Sequence, residues 1–311
     1  MPTNLYNRLQ SRRRGTGLPR LTAAEQTKLT WAKPVKSYAE VPDAFKEFFG
    51  SFQAAGQAFP YTVLTPSYQG FLHSTSEKLI CDCGSEITVL ERTGNTFLSH
   101  GFPLEGIRYV EITSILLDFY IQINGVTRDG LPASSMLRCN SVSDYLFTPI
   151  VEKIRYAAIG AKEALQSSEL EMFDAWVRLS YKFMNYAKRS LLGGEKFIHA
   201  VLQPEFRTSR LAIFGLTYYS RIAPALVCIL TDRELIVIRE VERRRAEDKY
   251  GGIWDYIPLK KVASLSLRQG ESNNLVLFVQ LPDRARLEFL FQASTKSAID
   301  QLLDRYKALT A

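Results

Sequence analysis

Cys81 and Cys83 stand one residue apart, with His73 before them and His100 after. Two thiols and two imidazoles are a ligand set for tetrahedral zinc. The spacing argues against it. Structural zinc sites usually place roughly two to four residues between cysteines, and a single spacer on a strand simply puts both thiols on one face. No metal is expected. His199 is the third and last histidine. None of the three lies in a nucleophile elbow, a zinc-protease helix or a comparable setting. No P-loop occurs, and no G-x-G-x-x-G joins a strand to a helix; Gly15-Thr16-Gly17, Gly193-Gly194 and Gly251-Gly252 read as turns. The paired acids Glu169/Glu171 and Glu240/Glu242 read as solvated faces. The chain is therefore read as no enzyme and as holding no cofactor. An unrecognised enzyme with a polar pocket near His199 or His100 is the catalytic alternative.

Charge is placed unevenly. The net charge is +7, and residues 1–36 carry all of it: Arg8, Arg12, Arg13, Arg14, Arg20, Lys28, Lys33 and Lys36 against Glu25 alone. A basic arm thus precedes a balanced body. Such an arm suits an anionic membrane or polymer, although a solvated, frayed terminus explains it as simply. Arg239, Arg243, Arg244, Arg245 and Lys249 form a second basic cluster, interleaved with Glu240, Glu242, Glu247 and Asp248. Mixed signs speak for an exposed, salt-bridged loop and against a nucleic-acid footprint.

Four cysteines in 311 residues imply no disulfide framework and fit a reducing, cytoplasmic setting. The arginines near the start have no apolar run behind them, so no secretory signal is expected; a transit peptide is the alternative. Leu211–Leu230 is the most apolar long stretch, but it holds Arg221 and Pro224. A central arginine costs about 2.5–3.5 kcal/mol in a membrane span, so this stretch is read as two strands and a turn.

The elements that must position these residues form a repeat. Glu86-Ile87-Thr88-Val89-Leu90 matches Glu234-Leu235-Ile236-Val237-Ile238, and Phe102-Pro103-Leu104 matches Ile257-Pro258-Leu259. Ile107, Val110 and Ile112 match Val262, Leu265 and Leu267; Leu146, Ile150, Val151 and Ile154 match Ala298, Leu302, Leu303 and Tyr306. Seven short aromatic and aliphatic strands are expected in each copy, separated by turn residues and followed by a helix. The first copy's helix is expected to start at a Ser141/Asp144 capping pair, the second at Ser294. Between the copies, Leu170, Phe173, Val177, Ser180, Met184, Ala187 and Leu191 recur at helical spacing up to Gly193-Gly194, predicting one long amphipathic connecting helix.

The run Gly194-Glu195-Lys196, Leu230-Thr231-Asp232-Arg233-Glu234-Leu235-Ile236 and Ile257-Pro258-Leu259-Lys260-Lys261-Val262 resembles the pleckstrin-homology-like (PH-like) domains of bacterial proteins. The resemblance covers 194–309 directly and 59–160 through the repeat. It implies an α+β chain: two PH-like β-barrels, each closed by a C-terminal helix and joined by the long helix. The expected divisions are a basic arm (1–36), a short helical lead-in (37–58), PH-like domain 1 (59–160), the connecting helix (161–193) and PH-like domain 2 (194–311). The family's lipid-binding pattern puts Lys196 on the first strand with Arg207 and Arg210 after it, although Arg-x-x-Arg departs from the usual basic-x-basic pair. Candidate binding residues are thus Arg12, Arg13, Arg14, Lys196, Arg207 and Arg210. The leading expectation is a non-catalytic interaction or scaffold protein with a protein partner. The alternative is a peripheral adaptor touching an anionic membrane or polymer through the arm; nucleic acid is not expected.

Overall fold

The computed structural model describes residues 27–69, 74–160, 170–213, 216–241, 251–270 and 274–310. Arg8, Arg12, Arg13, Arg14, Arg20, His73, Glu169 and the cluster at 242–250 lie outside the described residues.

Twelve elements make the first half. They are β1 (Lys33–Val35), α1 (Lys46–Ala54), β2 (Tyr61–Thr65), β3 (Tyr68–Gln69), β4 (Ser74–Thr75), β5 (Lys78–Asp82), β6 (Glu86–Thr93), β7 (Thr96–Pro103), β8 (Ile107–Ile115), β9 (Asp118–Val126), β10 (Pro132–Asn140) and α2 (Thr148–Ile159). The second half has α3 (Tyr181–Ser190), β11 (Phe197–Gln203), β12 (Phe206–Ile213), β13 (Leu216–Ala223), β14 (Leu226–Thr231), β15 (Glu234–Arg239), β16 (Gly252–Pro258), β17 (Ser264–Gln269), β18 (Asn274–Gln280), β19 (Arg286–Gln292) and α4 (Lys296–Thr310). The order runs twice: a helix, four main strands with a small hairpin after the first, a 3-10 turn, three strands and a helix. Among the described residues no helix is long and apolar enough to cross a membrane.

The two closed barrels expected from the sequence do not form. Closure needs β7 to pair with β8, and β16 with β17. Neither pair occurs among the described residues. Instead β8 of the first repeat lies antiparallel to β16 of the second, from Val110 opposite Tyr256 to Ser114 opposite Gly252. The result is a five-stranded sheet (β1-β2-β5-β6-β7), a seven-stranded sheet (β10-β9-β8-β16-β15-β14-β11) spanning both repeats, and a three-stranded sheet (β17-β18-β19). An edge strand needs a ladder partner, and the neighbouring repeat supplies it as well as barrel closure would.

The long connecting helix is absent too. Its described part divides into 3-10 turns at Asp174–Arg178 and the ten-residue α3. Ser180 between them is extended, and its hydroxyl accepts a hydrogen bond from Phe183 N, so it caps α3 instead of continuing a helix. Nor does α3 bridge two bodies. Phe183, Met184, Ala187 and Leu191 lie on the outer face of β14 and β15, against Val227, Ile229, Ile236 and Ile238. The lead-in does the same in the first repeat: Phe45 and Phe49 cover Leu79, Cys81 and Leu90. These helices are lids.

The lids explain the strand sequences. The inner face of each four-strand run packs on its own three-strand run and C-terminal helix: Ile80, Val89, Phe102, Ile121, Leu137 and Ile154 in one core, Cys228, Val237, Ile257, Leu277, Phe291 and Leu302 in the other. With the outer face also covered, Leu226–Thr231 is buried at every position and alternation disappears.

Capping differs from expectation in detail. Asn140, not Ser141, accepts from Val142 N at the turn before α2. Ser294 lies in a 3-10 turn ahead of α4, with its hydroxyl on Gln292. At the Thr231-Asp232 turn, Thr231 Oγ1 accepts from Glu234 N at 2.8 Å and Arg233 N at 3.2 Å. Asp232 reaches across to accept from Lys196 N at 2.8 Å, tying the turn to the entry of β11.

Candidate functional site

Three of the six binding candidates lie among the described residues, and they do not share one element. Arg12, Arg13 and Arg14 are outside the described residues. Lys196 is exposed at the start of β11, with its backbone engaged by Asp232. Arg207 and Arg210 lie on β12, whose backbone pairs only with β13 among the described residues. The structure concentrates its buried charge elsewhere, at two networks along the joint between the repeats.

The first network closes on Arg155, near the end of α2. Its guanidinium donates to Glu234 Oε2 from Nε (2.9 Å) and Nη2 (2.6 Å), and to the carbonyl of Ser190 at 2.8 Å. Glu195 Oε2 is 3.3 Å away, and the Tyr256 ring lies 4.0 Å beneath the guanidinium carbon. Glu195 also accepts from Leu192 N at 2.7 Å and from the Thr231 hydroxyl at 2.9 Å. One residue of the first repeat thus fastens α2 to α3, the α3–β11 loop, β15 and β16 of the second. All three ionic side chains are at most 5% exposed.

Two carboxylates around one guanidinium leave a buried excess of negative charge. Burial first, and then the charge of Glu234, raise the Glu195 carboxyl to about 7 against the pull of Arg155. Burial opposes the charge of Arg155, but Glu234, Tyr256 and Glu195 hold its pKa above the ordinary value. Near neutral pH the Glu195 carboxyl therefore holds a proton far more readily than an ordinary carboxylate does. Glu234 Oε1 has no hydrogen-bond partner.

The second network sits on the β8–β16 pairing. Asp255 lies opposite Glu111 in register. Arg239 donates to Asp255 Oδ2 at 3.2 Å and to Glu111 Oε2 at 2.8 Å. Burial, with Glu111 adding to it and Arg239 opposing, raises Asp255 to about 7. Tyr109, also on β8, is raised to about 12 by burial and then by Asp255 and Glu111. A carboxyl–carboxylate pair is chemically a proton store. Asp255 has a side-chain exposure of 1%, so this one serves the joint between strands.

Asp255→Asn tests that assignment. The Asp255 pKa is higher folded than unfolded, so its contribution is complete below about pH 4 and is lost as pH rises through about 7. An amide keeps the donor without the charge. The variant is expected to gain about 1 kcal/mol of unfolding free energy above pH 7 and little at pH 5. Denaturant unfolding at the two pH values measures the difference.

Burial also sets the thiols. It raises Cys139 to about 11 and Cys228 to about 12, and lifts Cys81 and Cys83 above the ordinary value. Protonated thiols are poor nucleophiles and poor metal ligands. Among the described residues no group of three or more His, Cys, Asp or Glu side chains could hold a metal ion. His100 Nδ1 is 2.9 Å from Ser135 Oγ, and His199 Nε2 is 3.2 Å from the Ala298 carbonyl. A cleft is lined by Tyr38, Val41, Lys46 and Phe49, none of which belongs to either network.

No protein-family model matches the chain, and no curated protein matches it.

Sequence reading missed both networks. A signal was present, because an acid opens the same buried strand in each repeat: Glu86 and Glu234. In the first repeat the cation comes from within, with Arg128 donating to both Glu86 oxygens at 2.9 and 2.7 Å.

Proposed function

We propose that the chain is a non-catalytic interaction module, a scaffold whose two repeats are fused into one body that offers sheet edges to protein partners. From the family resemblance this reading keeps only the role, adhesion. The observation that carries it is the fate of the edges. The repeats are welded through β8 and β16, while β7 and β17 have no strand beside them on their outer sides among the described residues. The raised carboxyls Glu195 and Asp255 are taken up by contacts between the repeats, which is consistent with a structural role for them. The test is affinity capture with the tagged full chain against Leu98→Lys, which places a charge on the outer strand β7. Recovery of a partner by the wild type, and its loss from the variant, supports the reading. Turnover of a substrate, with no partner retained, removes it.

The unequal charge favours a second reading, in which the basic arm attaches the body to an anionic membrane or polymer. Each basic residue near such a surface contributes roughly 1 kcal/mol. Lys33 lies on β1, which pairs with β2, so the arm should be removed only up to residue 26. That truncation is expected to abolish flotation with anionic vesicles at low salt; retained flotation rules the arm out.

A further inference from the structure

We propose that the partner is a second copy of this chain, joined head to tail: β7 of one copy adds antiparallel to β17 of the next, in the register that β16 and β8 use within one chain. This rests on the interaction-module reading and names its partner.

The repeat supplies the geometry. Pro103 and Pro258 end matching strands, each opposite the matching acid, Glu86 or Glu234. β7 therefore corresponds to β16, and β17 to β8. Trp254 lies opposite Ile112 inside the chain. Their counterparts are Ser99 and Leu267, so these two are expected to lie opposite one another between chains, with His100 opposite Ser266 and Leu98 opposite Arg268.

The backbone groups face the right way. Gly101 O accepts from Arg128 N, on the side of β7 away from β6, and Ser99 shares that orientation. On β17, Gly270 N bonds back to Asn274 O, so Leu267, three residues earlier, presents its N–H and C=O outward. The proposed ladder stops at His100, because the Gly101 carbonyl is already used.

The other four edges of the three larger sheets, β1, β10, β11 and β19, are covered where sheets meet. Asn140 N donates to Thr30 O at 2.9 Å and Ala32 N to Ser143 Oγ at 2.8 Å, beside β10 and β1. Gln203 at the end of β11 donates to Leu290 O on β19 at 3.1 Å and accepts from Gln292 N at 2.6 Å. Among the described residues no strand and no backbone hydrogen bond lies on the outer side of β7 at Ser99 or of β17 at Leu267; the Arg128 contact reaches β7 only at Gly101. Moreover, each residue from Phe97 to Gly101 is more exposed than its counterpart from Gly252 to Tyr256, where β8 is in place. Leu98 is 57% exposed. β7 also lacks the lysines, glutamates and bulges by which solvent-facing edges discourage pairing.

Charge agrees with the arrangement. The helix residue matching Arg155 is Lys307, exposed on α4, and the strand residue matching Glu234 is the buried Glu86. Docking brings Lys307 of one copy towards Glu86 of the next. Because the two surfaces differ, the contact is heterologous and builds a ring or a filament.

Sedimentation velocity of the full chain over a concentration series tests this, with two variants. Ser99→Pro removes a donor that faces away from β6, a position where an edge strand tolerates proline. Ser266→Lys places a charge where the neighbour's His100 would lie. The wild type is expected to grow beyond one chain with rising concentration. Each variant should associate about tenfold more weakly, the scale of one ladder bond with its side-chain contact. Mixing the two should restore a 1:1 dimer of wild-type affinity, with larger species only at about tenfold higher concentration, since Ser99→Pro keeps β17 and Ser266→Lys keeps β7. Should Ser99→Pro fail to fold by circular dichroism, Leu98→Lys takes its place. A wild type that stays single at every concentration, variants that assemble like it, or a mixture that stays monomeric overturns the proposal. If the wild type stays single but captures another protein that Ser99→Pro loses, self-association fails and the interaction-module reading stands. If it captures nothing, both fail.

Discussion

Arg155→Ala is expected to lower the unfolding free energy by about 3–5 kcal/mol, the usual effect of removing one partner from a buried ionic group. The loss comes less from missing attraction than from what is left behind. Glu234 and Glu195 stay enclosed, with side chains fully buried, and no cation remains beside them. The Ser190 carbonyl loses its donor, and Tyr256 loses the cation on its ring. The deficit should depend on pH. In the wild type Glu195 is raised to about 7, so its contribution is complete below about pH 4.5 and lost as pH rises through about 7. Without Arg155 the Glu195 carboxyl favours the neutral form more strongly, because the charge that pulls its pKa down is gone. The deficit should therefore be largest above pH 7 and shrink towards pH 5. Arg155 also links repeats, so calorimetry is expected to show one transition for the wild type and two for the variant. A deficit below about 1 kcal/mol at pH 8, or one unchanged by pH, would contradict this account. Replacing the trio by Arg155→Met, Glu234→Leu and Glu195→Gln should recover most of the stability, because two of the side chains then need no pairing and the amide oxygen at 195 can still accept from Leu192 N and the Thr231 hydroxyl.

Phe49→Ala should cost about 3–5 kcal/mol, in the range for truncating a buried phenylalanine. Phe49 is 2% exposed, and its ring stacks on Phe59 at 5.3 Å and meets Phe48 edge-on at 5.1 Å. It holds α1 down on Leu79, Cys81 and Leu90. A loose lead-in would tolerate the change; a lid would not. Cys81 is the reporter. Its thiol is fully buried, and lifting the lid opens a route to it. A thiol reagent should label Cys81 faster in Phe49→Ala than in the wild type. Equal labelling and an unfolding loss under about 1 kcal/mol would show that α1 does not close the sheet.

Both predictions concern features that local patterns hide. Leu226–Leu230 and Leu235–Ile238 were legible as strands, because β-branched and aliphatic residues run up to a Thr-Asp turn. Their double coverage was not, because it depends on Phe183 and Ala187 arriving from a helix far back in the chain. The stripe from Leu170 to Leu191 has helical spacing throughout, yet Ser180 breaks it. A serine hydroxyl near free backbone N–H groups prefers to cap, and spacing alone does not reveal that choice. Arg155 follows Ile154, the last apolar residue that the repeat matches on this helix. Nothing near it in sequence is its partner: Glu195 and Glu234 are brought to it by the fold.

What the chain's order of residues determined by itself is the repeat. Turn residues, strand composition and the matched Glu86 and Glu234 are local, and local preferences act wherever the same residues recur. Tertiary structure alone decided whether each repeat would close on itself or join its neighbour. Both outcomes satisfy the same backbone groups and bury similar apolar strands, so the pattern of residues is neutral between them. The difference lies in contacts across the joint: Asp255 facing Glu111 beside Arg239, and Arg155 held between two acids. Such contacts exist only when both repeats are in place.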